Sequence, residues 1–150
     1  MDEIDRKIIG LLSADARRAL ADIGGAVGLS ASAVNDRIRR LQAAGAIRRF
    51  TVDLDPAALG LPVLAHVWIG LREDADEAAF RRFAAAHPAI CECHHVTGPW
   101  SYLIKLRLAS VAAIEPFLAE VKATRLMARS ETVITLSSVE PGAFVPKGAP

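Results

Sequence analysis

The apolar residues of this chain change period once, at a run of turn residues. Up to about position 53 they recur at helical spacing. Ile4, Ile8, Leu11 and Leu12 form one set, Leu20, Ile23 and Val27 a second, and Val34, Ile38 and Leu41 a third. From position 63 they alternate, with Val63, Ala65, Val67, Ile69 and Leu71 interleaved with Leu64, His66, Trp68 and Gly70. A period near 3.6 marks one face of a helix, and a period of two marks one face of a strand. The two halves therefore build different cores. Between them, Asp55-Pro56 to Leu61-Pro62 carries the turn residues of a connector. We read 1–53 as a helical domain with a wing, 54–62 as a linker and 63–138 as a second domain. Residues 139–150 form a tail, and its PGAFVPKGAP reads as loosely held.

In the first half, acids in the opening turn suit the dipole of a helix from Asp2 to Leu12. A short helix fits Leu20 to Val27, and Gly28 breaks it. Ser30 can cap a third helix that runs to about Ala44 and stops at Gly45. Ile47 to Val52 reads as a short strand, or wing. In the second half, Val63 to Leu71 is a strand, Ala75 to His87 a helix ended by Pro88, and Ile90 to Thr97 a strand. Gly98-Pro99 makes a turn into a strand from Ser101 to Leu108. A helix spans Ser110 to about Lys122, where Pro116 either kinks it or moves its true start later. Glu131 to Ser138 is the last strand. The order βαββαβ is that of a ferredoxin-like sandwich. The expected fold class is α+β: a winged helix-turn-helix followed by that sandwich.

The chain is hydrophobic enough at 52% to pack a core in 150 residues. No apolar run approaches the roughly 20 residues that span a bilayer, and MDEIDRKII lacks the apolar centre of a signal peptide. These features point to the cytoplasm and to no membrane partner. Formal net charge is only +1, yet residues 29–49, LSASAVNDRIRRLQAAGAIRR, hold Arg37, Arg39, Arg40, Arg48 and Arg49 and no acid after Asp36. Any anionic partner is met by this local patch rather than by a global field.

A helix, a glycine turn and a capped second helix form a helix-turn-helix, whose second helix enters the major groove of duplex DNA. With Val34, Ile38 and Leu41 inward, Ser32, Asn35, Asp36 and Arg39 point largely outward. Ser32 and Asn35 suit base edges, and Arg39 suits guanine. Ser30 caps the helix at the same surface. Arg37 and Arg40 flank the buried stripe and suit phosphates, as do Arg48 and Arg49 in the wing. Asp36 repels phosphate unless it pairs with Arg40 or accepts from a cytosine amino group. The plainer alternative is a solvated charged face on a helical hairpin.

At this point the chain resembles the Lrp/AsnC family, the feast/famine regulators responsive to leucine or asparagine. MDEIDRKIIGLL is similar to the family's opening helix, and GLSASAVNDRIRRLQAAGAIRRFTVDLDPAALG to its recognition helix, wing and linker. ECHHVTGPWSYLIKLRL is similar to its glycine turn between two strands. The resemblance runs from about Asp2 to Ser138. It implies a transcriptional regulator, dimeric or assembled further into a tetramer or octamer through its second domain, and we separately expect no catalytic site and no cofactor. Its second domain would sense a small effector, commonly an amino acid. The implied effector site is the turn Thr97, Gly98, Pro99, Trp100, Ser101 and Tyr102. Glycine permits a tight turn there whose amides could hold a carboxylate. Many members carry an aspartate where Ser101 stands. A neutral hydroxyl lacks that charge, so either the ammonium partner lies elsewhere or the effector is no ordinary amino acid. Trp100 is either an apolar wall for the effector or interface packing.

The sheet face away from the helices would carry Leu64, Trp68 and Leu103 if the Val63 and Tyr102 sets point at the helices. An open tryptophan wants a cover, either a second subunit or the linker. Cys91, Glu92, Cys93, His94 and His95 resemble ligands, but no second pair stands at structural-zinc spacing, and we expect no metal. No GxGxxG, P-loop, nucleophile elbow or HExxH occurs. The competing functions are an enzyme, or the regulatory subunit of a metabolic enzyme, built on the second domain, and an effector-binding assembly module whose first half is a protein-docking helical bundle.

Overall fold

The computed structural model describes residues 1–139 and 142. The tail expected at 139–150 lies outside the described residues apart from Val139 and Gly142. The chain forms two compact units that divide between Thr51 and Val52.

The first unit is three helices: α1 (Glu3–Ala14), α2 (Leu20–Val27) and α3 (Ala31–Ala43). A capping box starts α1. The Asp2 carboxylate accepts the Asp5 N–H at 2.8 Å, and the Asp5 carboxylate accepts the Asp2 N–H at 3.0 Å. Gly28 closes α2 in the left-handed region at φ 71°, which glycine adopts without a Cβ penalty. The Ser30 hydroxyl then accepts the Ala33 N–H at 3.2 Å and opens α3. Ile8, Leu12, Ile23, Val34 and Ile38 meet in one core, ringed by Ile4, Leu11, Leu20, Val27, Leu29 and Ile47. The segment expected as a strand or wing at 47–52 is not a strand. A ladder needs a second extended segment, and the three-helix unit supplies none among its described residues.

The second unit runs β1 (Val63–Leu71), α4 (Glu77–Ala86), β2 (Ile90–His95), β3 (Tyr102–Leu108), α5 (Ile114–Ala123) and β4 (Met127–Ile134). The sheet order is β2-β3-β1-β4, and every neighbouring pair is antiparallel. This is the ferredoxin-like arrangement read from the element order. Across β1 and β3, Ala65 faces Leu106, Val67 faces Ile104 and Ile69 faces Tyr102. These side chains pack with Phe80 and Ala84 of α4 and Phe117 and Val121 of α5 in a second core.

Of the two outcomes that Pro116 allowed for α5 the later start holds, whereas β4 starts elsewhere than expected. A single 3₁₀ turn at Val111–Ala113 precedes α5, which places Pro116 in the first helical turn. An N–H there has no intrahelical acceptor, so the ring costs no bond. β4 begins four residues before Glu131. Arg125, at φ 59°, reverses the chain straight after α5, and the edge strand pairs with β1 from Met127 although its sequence scarcely alternates.

Gly24 and Gly25 are neighbours in α2 with opposite surroundings. A Cβ on Gly24 would lie 2.4 Å from the Leu29 carbonyl oxygen, whereas one on Gly25 meets nothing within 4 Å. Gly24→Ala is expected to destabilise the first unit by about 1–3 kcal/mol through backbone displacement. Gly25→Ala is expected to stabilise it by up to about 1 kcal/mol through helix propensity. Urea unfolding followed by circular dichroism at 222 nm reads both signs.

Candidate nucleic-acid interface and effector turn

The apolar stripe of α3 fixes which residues remain outside. Val34, Ile38 and Leu41 are buried. Ser30, Ser32, Asp36, Arg39, Arg40, Arg48 and Arg49 are exposed, and Asn35 is half-buried. Arg39, Arg40, Arg48 and Arg49 form no ion pair among the described residues, nor does Asp36, so the i, i+4 pairing offered for Asp36 and Arg40 is absent. Ser32, Asn35 and Arg39 follow one another at helical spacing on the outer face. The helix thus presents hydroxyl, amide and guanidinium groups along a surface with free positive charge.

Arg37 departs from the role expected of it. Its Nη1 donates to Asp2 Oδ2 and to Asp5 Oδ1, both at 2.7 Å. The Arg37 side chain is only 20% exposed and that of Asp5 12%. The guanidinium lies against the start of α1 rather than free for phosphate. The bond from Arg37, then that from the Asp5 N–H, holds the Asp2 carboxyl below the usual carboxylate range. The Asp2 N–H, then Arg37, does the same for Asp5. The two carboxylates in turn hold the guanidinium more firmly protonated. Asp2 and Asp5 were legible as acids that suit the dipole at the start of α1. Their partner was not, because it lies 35 and 32 residues away.

In the second unit the turn between β2 and β3 bends at Gly98, φ 100°. The N–H groups of Thr97, Gly98 and Trp100 donate to no acceptor among the described residues. Ser101 is held three ways: its N–H donates to the Ile69 carbonyl at 2.8 Å, its carbonyl accepts the Val96 N–H at 3.1 Å, and its hydroxyl accepts the Leu71 N–H at 3.0 Å. The hydroxyl therefore secures the end of β1. Arg129 of β4 lies over the Trp100 ring, 4.6 Å from its centroid, and donates to the Pro99 carbonyl. Trp100 is thus partly covered by a cation rather than being a bare apolar wall. Tyr102 turns away from the rest of its set. It is buried under α4, where its hydroxyl donates to Glu77 Oε1 at 2.5 Å and accepts from Arg81 Nε at 2.7 Å. Phe80 and His95 flank its ring. Tyr102 anchors the turn and does not face a ligand on the turn's outer side.

On the sheet face away from the helices, Trp68 pairs directly across with Leu103, and both are half-buried. Leu64 was expected beside them as an open residue but is 8% exposed. With Arg107, Thr135, Ser138 and Gly142 it lines a cavity of about 220 Å³, and the Thr135 N–H donates to its carbonyl at 2.9 Å. The chain beyond β4 thus covers Leu64. On the same face Glu92 accepts from Lys105 at 2.7 Å and bonds His94 at 3.2 Å. Among the described residues no three His, Cys, Asp or Glu side chains converge as a metal site.

Residues 1–42 match the profile of the AsnC-type helix-turn-helix domain, and residues 64–143 that of the Lrp/AsnC ligand binding domain. The chain belongs to the Lrp/AsnC family. It is 30% identical over 138 residues to the HTH-type transcriptional regulator FL11 of Pyrococcus horikoshii, covering 92% of this chain and 91% of that one. It is 36% identical over 123 residues to the leucine-responsive regulatory protein of Salmonella typhimurium, covering 80% and 74%. The solved structure of Bacillus subtilis LrpC superposes with a TM-score of 0.84 at 29% identity, over 95% of this chain and 99% of that one. The Pyrococcus relative is a transcriptional regulator and the Salmonella relative a regulatory protein. Among the described residues no helix is long and apolar enough to cross a membrane.

The Asp2–Asp5–Arg37 contacts carry a pH dependence. Both carboxyls have lowered values in the folded state. On acidification the unfolded chain therefore binds protons first. Their contribution is present above the ordinary carboxylate range, about 4, and is lost as the pH falls below it. Helical circular dichroism during thermal melting between pH 6 and pH 2.5 should show the first unit losing stability below about 4. Arg37→Met should remove much of that acid sensitivity.

Proposed function

We propose that this Lrp/AsnC protein binds duplex DNA sequence-specifically through α3, and that a small effector bound by the second unit modulates that binding. The observation that carries the reading is the outward face of α3. There Ser32, Asn35, Arg39 and Arg40 stand exposed or half-exposed, with Arg48 and Arg49 exposed beyond the helix and no ion pair on any of the four arginines among the described residues. Ser32, Asn35 and Arg39 reach base edges. Arg40, Arg48 and Arg49 meet phosphates, as does the Ser30 region at the helix start. Asp36, lacking an arginine partner, accepts from a cytosine amino group.

The effector is an amino acid or related metabolite held by its carboxylate on the open amides of Thr97, Gly98 and Trp100. Pro99, Trp100 and Ser101 shape the turn around it, and no other cofactor is required. A second copy of the chain covers Trp68 and Leu103, giving a homodimer whose two heads read half-sites about one helical turn apart. Dimers assemble further, and an effector that binds one assembly more tightly than another respaces the heads. The protein works in the cytoplasm.

The test is fluorescence anisotropy of the full chain on labelled duplex DNA across a salt series. Arg39→Ala, Arg40→Ala should weaken binding and lower the slope of log affinity against log salt by about 0.9 per head, the share of the Arg40 phosphate contact. Parent-like binding by that variant would contradict the assignment of α3. A thermal-shift screen against amino acids and 2-oxo acids addresses the effector. A true ligand raises the melting midpoint with concentration, and a Gly98→Val chain should lose that shift because a β-branched residue resists φ 100°.

A further inference from the structure

We infer that Arg37 is a positioning residue for DNA recognition: it clamps α3 to the N-terminal carboxylates of α1 and makes no contact with DNA itself. The inference rests on the DNA-binding reading above. Arg37 belongs to the basic stretch by sequence, and its neighbours Arg39 and Arg40 are exposed and without ion pairs among the described residues. Its own Nη1 is shared by two carboxylates at 2.7 Å. For Nη1 to reach a phosphate it would give up both charge-assisted bonds and leave Asp2 and Asp5 without their cation beside an anionic backbone, and the side chain around it is only 20% exposed.

The placement of the clamp gives it leverage. Asp2 is the N-cap of α1 and Asp5 its third residue, so the clamp holds the first turn of α1. Arg37 lies one residue before the buried Ile38 and two before Arg39. Successive helical residues are about 100° apart, so a small rotation of α3 swings Asn35 and Arg39 away from a base edge. The apolar core allows some rotation because aliphatic contacts are not directional. A guanidinium between two fixed carboxylates is directional.

This assignment makes a prediction opposite in sign to plain electrostatics. Removing an acid from a DNA-binding head should tighten binding if charge alone matters. If the clamp matters, it should loosen it. Asp5→Asn is a fair variant because asparagine is nearly isosteric with aspartate and leaves the Asp2 cap acceptor in place. The experiment measures duplex binding of the full chain over a salt series, at a temperature where circular dichroism shows each variant folded. Asp5→Asn and Arg37→Met are each expected to weaken binding on the order of tenfold, as for two coupled groups. The salt slope should stay unchanged in both. The double variant should bind about as well as Arg37→Met alone, and Arg37→Lys, which keeps the charge, should recover part of the loss.

Tighter binding by Asp5→Asn, or a salt slope smaller by about 0.9 in Arg37→Met, would overturn the clamp and return Arg37 to the phosphates. Independent, additive losses would overturn it as well. If the parent shows no salt-dependent binding to duplex DNA, the DNA reading fails and this inference fails with it. A parent that binds, with a clamp variant that binds more tightly, defeats the inference alone.

Discussion

A helix of this length has one stripe to bury, and α3 commits that stripe to Val34, Ile38 and Leu41. Each such side chain contributes about 1.5–3 kcal/mol when fully removed from water. No surface interaction of α3 competes with that sum. The stripe therefore decides which residues face outward, and every functional statement about the first unit follows from it. Ser30 fixes where the helix begins and Gly28 the turn into it. With start and stripe both set, the positions of Ser32, Asn35, Arg39 and Arg40 have little freedom left.

Charge is distributed within that frame by distance. Arginine occurs on the outer face, at the margin of the stripe and beyond the helix end, and each location gives it a different environment. At the margin, Arg37 finds two carboxylates that already cap α1. On the outer face, Arg39 and Arg40 find none among the described residues. A chain of net charge +1 can thus offer a polyanion a cationic surface without a basic overall composition. The second unit divides its faces by the same logic. Tyr102 turns toward α4, where Glu77 and Arg81 satisfy its hydroxyl, while the N–H groups of Thr97, Gly98 and Trp100 have no acceptor among the described residues.

Much of this was legible in the sequence because it was local. The helical stripe, the Ser30 cap and the alternation of Val63 to Leu71 are short-range patterns with a fixed period, and the elements they imply are present. What was not legible depended on partners distant in sequence. The strand expected at 47–52 needs a second strand that the first unit does not contain. β4 begins at Met127 because β1 offers it an edge, although MARSETVI has little alternation of its own. Leu64 was counted as open, and only the path of the chain beyond β4 closes it. Arg37 looked like its neighbours, and only the packing of α1 against α3 separates it from them. Ser101 was read through the charge it lacks, whereas its hydroxyl secures the Leu71 N–H.

The most direct test of the account follows individual arginine side chains by nuclear magnetic resonance while duplex DNA is added to the intact, isotopically labelled chain. The guanidinium signals of Arg39 and Arg40 are expected to shift and broaden. The Arg37 Nη protons should stay slow to exchange and unmoved, held by Asp2 and Asp5 throughout. An Arg37 signal that shifts with the others and loses its protection would show the side chain swinging out onto the nucleic acid, and would contradict the division of labour on which the account stands.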